Sequence, residues 1–116
     1  MSPGWGGFAK GRKRDQGMNK LEAAFSEELD LQVQLGALLW RSTHEPMKLR
    51  LADKTFYTPD FLALDNGYAL IVYDVKGGLF PEHNRVKMKV VAELYPLRFV
   101  IVRRPRVEDP WVYEPV

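Results

Sequence analysis

Cysteine is absent from this chain, which excludes disulfides, thiolate nucleophiles and zinc–sulfur sites. No apolar run approaches the roughly 20 residues that a membrane helix needs, and the first residues lack the apolar core of a signal peptide. Asn and Gln are scarce, which leaves few thermolabile side chains and hints at a warm habitat. Net charge is also small, +2 over 116 residues. A soluble cytoplasmic protein with no membrane partner is expected. What remains, 46% hydrophobic and 28% charged residues, suits one small domain with a core.

The low net charge hides an asymmetry. Residues 1–20 hold Lys10, Arg12, Lys13, Arg14 and Lys20 against Asp15 alone. That surplus of positive charge, on an otherwise slightly acidic chain, fits an arm for a polyanion or a solvated leader. Trp5 and Phe8 are interleaved with glycines there, so residues 1–17 read as a flexible arm able to track a backbone or stack on an unpaired base. The body spans 18–104. Three prolines mark 105–116 as an extended tail, packing on the body or on a second subunit through Trp111 and Tyr113.

Leu21, Phe25, Leu29 and Val33 recur four residues apart and predict a helix from about 18–20, ending at Gly36 or running on to Trp40. "MKLRL" (47–51) alternates as a half-exposed strand does. A turn at 52–54 leads into "TFYTPDFLAL" (55–64), a second strand. Asp65-Asn66-Gly67 is a hairpin turn returning residues 68–76 as a third strand. Residues 81–95 read as a helix with Val86, Val90 and Leu94 on one face and Pro96 as the stop. "RFVIVRR" (98–104) is a fourth strand. The fold class expected is α/β, in the order αβββαβ, with a mixed central sheet flanked by helices.

The third strand carries a problem. Leu70-Ile71-Val72-Tyr73 reads as buried, yet Asp74 and Lys76 follow, and an unpaired buried charge costs several kcal/mol. Alternation puts both on one face, ~7 Å apart along the strand. A turn centred near residue 67 pairs positions that sum to 134, which brings Asp60 opposite Asp74. Two close carboxylates repel unless a cation sits between them, and oxygen donors suit Mg²⁺ or Mn²⁺. The first helix offers a third acid. Glu22 and Glu28 both border its apolar stripe and periodicity does not choose between them, while Glu27 points away.

At this point the chain resembles a family. Pro59-Asp60, then Asp74-Val75-Lys76, is similar to the signature of the PD-(D/E)xK nucleases, whose core has the order αβββαβ and is known as restriction-endonuclease-like. "NKLEAAFSEEL", "YTPDFLAL", "DVKGG" and "RVKMKVVAELYP" resemble small phage-encoded nucleases allied to Holliday-junction resolvases. The likeness covers residues 18–104. It implies a metal held by Asp60, Asp74 and the Val75 carbonyl, with Glu22 favoured over Glu28 as the helix-borne acid. It also implies that Lys76 orients the attacking water and balances charge at the phosphate. Arg85, Lys87 and Lys89 match its basic second helix, where they would bind nucleic acid beside the arm's Lys10, Arg12, Lys13 and Arg14.

The implied partner is branched DNA, a four-way junction, and the implied cofactor is Mg²⁺, with Mn²⁺ substituting and no small-molecule cofactor. The compartment would be the host cytoplasm if the chain is phage-encoded. A domain this small cannot read two duplex arms alone, so a symmetric homodimer is expected. The competing readings are a flap, nick or duplex nuclease of the same core, a non-catalytic DNA-binding relative, and a scaffold in which Asp74–Lys76 is a strand-end ion pair. The chemistry needs no histidine. His44, ahead of the first strand, and His83, opening the second helix, read as surface or capping residues.

Overall fold

The computed structural model describes residues 17–77 and 82–116, with the backbone alone for 82–84. The basic arm with Lys10, Arg12, Lys13 and Arg14 therefore lies outside the described residues.

Helix α1 (Lys20–Gln34) starts on an Asn19 N-cap with a reciprocal capping box to Glu22. It buries Phe25 and Leu29 fully, with Leu21 and Val33 packed at the edges of the same stripe, as the four-residue spacing anticipates. Gly36, at φ 83°, ends the helix in the left-handed conformation that glycine adopts without strain. The alternative of a helix running to Trp40 is overturned: Leu38–Arg41 is strand β1. Leu38-Leu39-Trp40 is an apolar run without alternation, a pattern that a helix end and an edge strand share. Antiparallel pairing with residues 63–65 decides it.

Strands β2 (Leu49–Ala52) and β3 (Thr55–Tyr57) form a separate two-stranded hairpin. The single strand expected over 55–64 is split by Thr58-Pro59-Asp60. Pro59 has no N–H to give a ladder and is fully buried. The chain bends there and passes from the hairpin into β4 (Phe61–Asp65) of the main sheet. Strand β5 (Leu70–Val75) returns antiparallel, with Phe61 opposite Tyr73 and Leu62 opposite Val72. These pairs sum to 134, the register that the turn position implies.

Helix α2 (Glu82–Leu94) crosses over to β6 (Arg98–Arg103), which runs parallel to β5. The tail is extended and becomes β7 (Val112–Pro115), antiparallel to β6. The main sheet is thus mixed, with order β1-β4-β5-β6-β7. Its two faces bury alternate residues. Phe61, Ala63, Ile71, Tyr73 and Val75 pack under α1, whereas Leu62, Val72, Phe99 and Ile101 pack under α2 and the hairpin.

The inward stripe of α2 differs from the expected one. Met88 and Val91 are buried, with Ala92 and Tyr95 beside them, whereas Val86, Val90 and Leu94 are 53%, 40% and 53% exposed. Both stripes have helical spacing. The 88/91/92/95 face wins because Tyr95 also reaches the hairpin, donating its hydroxyl to the Arg50 carbonyl at 2.6 Å. On the other side Trp111 packs edge-on against Phe25 at 5.1 Å, and Arg103 meets Glu114 at 2.6 Å, so the tail is fastened to the body. Among the described residues no helix is long and apolar enough to cross a membrane.

Candidate active site

The site forms where the β4–β5 ladder ends. Asp60 follows the Pro59 bend, and its N–H donates to the Tyr73 carbonyl at 3.1 Å, which extends the antiparallel pairing one step beyond Phe61. Asp74 lies in the central strand opposite Ile101 of β6. The Lys76 N–H donates to the Val102 carbonyl at 2.9 Å, so the backbone is fixed through Lys76. Asp74 is within β5, and Asp60 and Lys76 lie one residue beyond strand ends, each tied to the sheet by its backbone N–H.

Their side chains meet. Asp60 and Asp74 are 7% and 5% exposed, and their carboxyl groups are within hydrogen-bonding reach of each other. Asp60 Oδ2 accepts the Val75 N–H at 2.7 Å. On Asp74, Oδ2 accepts the Tyr57 hydroxyl at 3.2 Å and Oδ1 lies 3.4 Å from Lys76 Nζ. Burial raises the pKa of Asp60 far above the usual carboxylate range. The hydrogen bond and charge of Asp74 add to the rise, the Val75 amide opposes it, and the Glu22 charge adds last. Burial and the neighbouring Asp74 push the Tyr57 phenol up as well, so Tyr57 stays a neutral donor.

An open pocket of about 280 Å³ leads to this group, lined by Phe56, Tyr57, Asp60, Asp74, Lys76 and Lys87 among others. Lys87 therefore reaches the site, next to the buried Met88. Arg85 and Lys89 of the same helix do not line the pocket. Arg85 is half-buried and Lys89 is exposed.

The two candidate helix acids separate clearly. Glu28 accepts from Gln32 Nε2 at 2.9 Å, and Gln32 in turn donates to Tyr113, so Glu28 faces the tail. Glu22 sits in the first turn of α1, its Oε1 accepting the Asn19 N–H at 3.1 Å and lying 3.4 Å from His44 Nε2. The same nitrogen is 3.8 Å from Asp60 Oδ1. Glu22 and Asp60 are thus brought together, with His44 between them. Val75 gives its N–H to Asp60 in this structure.

Two residues of this group were not anticipated. His44 is no surface or capping residue: its side chain is 7% exposed and its ring lies against Phe61. Its position follows from β1. Once β1 pairs with β4, the chain beyond Arg41 continues alongside β4, with the Ser42 N–H donating to the Leu62 carbonyl and the Glu45 N–H to the Asp60 carbonyl. The sequence leaves 38–40 open between helix and loop and gives no sign of the strand that sets this path. Tyr57 was missed because the strand 55–64 was read as unbroken. The signal for Tyr57 was Pro59, which ends one ladder and starts another. His83 lies outside the residues with described side chains.

Glu22, His44 and Asp60 offer ligand atoms that all lie within 4.8 Å of one another, a group that could hold a metal ion, and Asp74 lies outside it. His44 Nε2 is buried without a hydrogen-bond partner among the described residues. No family model, no curated protein and no solved structure matches this chain.

Proposed function

We propose that this chain is a metal-dependent DNA endonuclease of the PD-(D/E)xK kind, acting on branched DNA as a Holliday-junction resolvase. The observation that carries the reading is the buried Asp60–Asp74 pair with Lys76 3.4 Å from Asp74, at the mouth of an open pocket. Two adjoining carboxylates in the core destabilise a fold unless they have a job. The order of the main-sheet elements also supports it. With the β2–β3 hairpin set aside as an insertion, the chain reads α1-β1-β4-β5-α2-β6, the αβββαβ order of that superfamily.

In this reading Asp60 is the shared ligand, and together with Glu22 on one side and Asp74 on the other it would hold Mg²⁺ or Mn²⁺. The ion, when bound, supplies Lewis-acid activation of water and charge relief at the scissile phosphate. Lys76, its Nζ 3.4 Å from Asp74 Oδ1, orients the attacking water and faces the negative charge that builds on the phosphate. Tyr57 fixes the Asp74 carboxylate through its hydroxyl. Lys87, on the pocket wall, takes a backbone phosphate, and the basic arm extends that contact along the DNA. The active form is a homodimer, because a junction presents two scissile strands related by a two-fold axis.

The test is cleavage of a synthetic four-way junction beside matched flap, nicked and linear substrates, with Mg²⁺ or EDTA. Metal-dependent paired cuts confined to the junction are expected. Cuts in flap or linear DNA alone would reassign the substrate and keep the chemistry, and binding without cutting in Mg²⁺ and Mn²⁺ alike would remove the enzyme reading.

A further inference from the structure

We infer that His44 is a metal ligand, and that Glu22, His44 and Asp60 together form a mixed nitrogen–oxygen site that takes Mn²⁺ in preference to Mg²⁺. The inference rests on the metal-dependent reading above and specifies which cation the site selects.

The geometry starts with one atom. His44 Nε2 is buried and makes no hydrogen bond among the described residues, although carboxylate oxygens of Glu22 and Asp60 lie 3.4 and 3.8 Å away. Ligand atoms about 2.0–2.2 Å from a shared cation stand roughly 3–4.4 Å from one another, depending on the angle between them, a range that holds both His44 distances. The three ligand atoms here all lie within 4.8 Å of one another. Asp74 is not part of this cluster, so Asp60 links it to the Asp74–Lys76 side of the site.

The chain holds His44 in place for this. Ser42 and Glu45, on either side of it, each donate a backbone N–H to β4, at the Leu62 and Asp60 carbonyls. Ser42 Oγ accepts the Leu62 N–H in return. Glu45 itself sits at φ 50°, a left-handed conformation costly for a residue with a Cβ and characteristic of positions held for function. Phe61 covers the ring, and the Asn19 N–H orients Glu22 Oε1 as outer-shell donors orient metal ligands.

The ligand chemistry selects the ion. Mg²⁺ takes carboxylate, carbonyl and water oxygens and rarely accepts imidazole. Imidazole suits the transition ions, Zn²⁺, Fe²⁺ and Ni²⁺ above all, and carboxylates suit Mg²⁺ and Mn²⁺; of these two carboxylate-binding ions Mn²⁺ is the transition metal and the one that accepts a nitrogen beside them. A nitrogen between two acids therefore shifts the site from Mg²⁺ towards Mn²⁺.

The experiment uses the full chain stripped with EDTA and then titrated with Mn²⁺ alone, followed by electron paramagnetic resonance, with Mg²⁺ as competitor. Spin-echo spectra of the bound ion should show ¹⁴N modulation from a directly coordinated imidazole. That modulation should vanish in His44→Gln, which also distinguishes His44 from His83. Loss of outer-shell partners alone weakens metal binding by about 10–100-fold, so His44→Gln should reduce Mn²⁺ affinity at least that much and change Mg²⁺ affinity far less. A wild-type echo without nitrogen coupling overturns the inference, and it needs no variant to fold. Equal Mn²⁺ affinity in a folded His44→Gln protein overturns it too. If the wild type cuts DNA with Mg²⁺ while its Mn²⁺ echo lacks nitrogen, only the role of His44 falls. If neither ion binds, the nuclease reading falls with it.

Discussion

Replacing Asp60 by Asn should stabilise the protein when metal is withheld, and abolish the stabilisation that metal brings. The side chains are isosteric. The Asn oxygen can still accept the Val75 N–H that Asp60 Oδ2 takes at 2.7 Å, and its amide can donate to Asp74. What is lost is the acid's ability to ionise, which favours the unfolded chain. The fold raises the pKa of Asp60 above its unfolded value through burial and Asp74, so between those two values the native state binds the extra proton. Its contribution to stability is complete below the unfolded value, near pH 4, and declines as pH rises. Each unit separating the two values amounts to about 1.4 kcal/mol; a separation of only two units would cost the metal-free protein about 2.7 kcal/mol near neutrality. At roughly 4 °C per kcal/mol for a domain of this size, Asp60→Asn in EDTA at pH 8 should melt about 10 °C above wild type. The gap should close towards pH 4. Metal at a hundredfold excess over its Kd should raise the wild type by about 2.7 kcal/mol and leave the variant unmoved. Thermal melts followed by circular dichroism, in EDTA and in Mg²⁺ or Mn²⁺ across that pH range, read all of this. A variant no more stable than wild type in EDTA at pH 8 would refute the reasoning that these carboxylates are held together at a cost.

Lys76→Met should lower cleavage by at least about 100-fold while shifting the melting point little, since Lys76 is 25% exposed and partly exposed ion pairs contribute under about 1 kcal/mol; single-turnover assays beside thermal melts separate the two. Tyr57→Phe removes the hydroxyl that holds Asp74 Oδ2 and should weaken metal binding by about 10–100-fold, measured by calorimetry, with about 1 kcal/mol lost in stability. Phe25→Ala empties the space among Phe61, Tyr73 and Trp111 and should cost about 3–5 kcal/mol, seen as a lower denaturation midpoint. Light scattering should return twice the 13.4 kDa chain mass.

The sequence made legible whatever rests on a short period or a fixed turn. The α1 stripe and the Asp65-Asn66-Gly67 turn are local, and the turn sets the β4–β5 register, which is enough to put Asp60 beside Asp74. What was hidden depends on long-range competition. Leu38–Arg41 has no strand pattern of its own and becomes β1 only because β4 has a free edge. Without that strand nothing in the sequence leads His44 to the site. The two apolar stripes of α2 are indistinguishable by spacing, and the hairpin, through Tyr95, selects the one that turns inward. Pro59 belongs to the motif, but its missing N–H, which ends β3 and starts β4, is what brings Tyr57 to Asp74.

The most direct test of the central claim is single-turnover cleavage of an end-labelled four-way junction by wild type and Asp74→Asn, with Mg²⁺, Mn²⁺ or EDTA. The account predicts paired incisions in opposing strands with metal, none in EDTA, and none from Asp74→Asn, which should still bind the junction. Cleavage that persists in EDTA or in the variant would contradict it, and so would an intact junction under every condition.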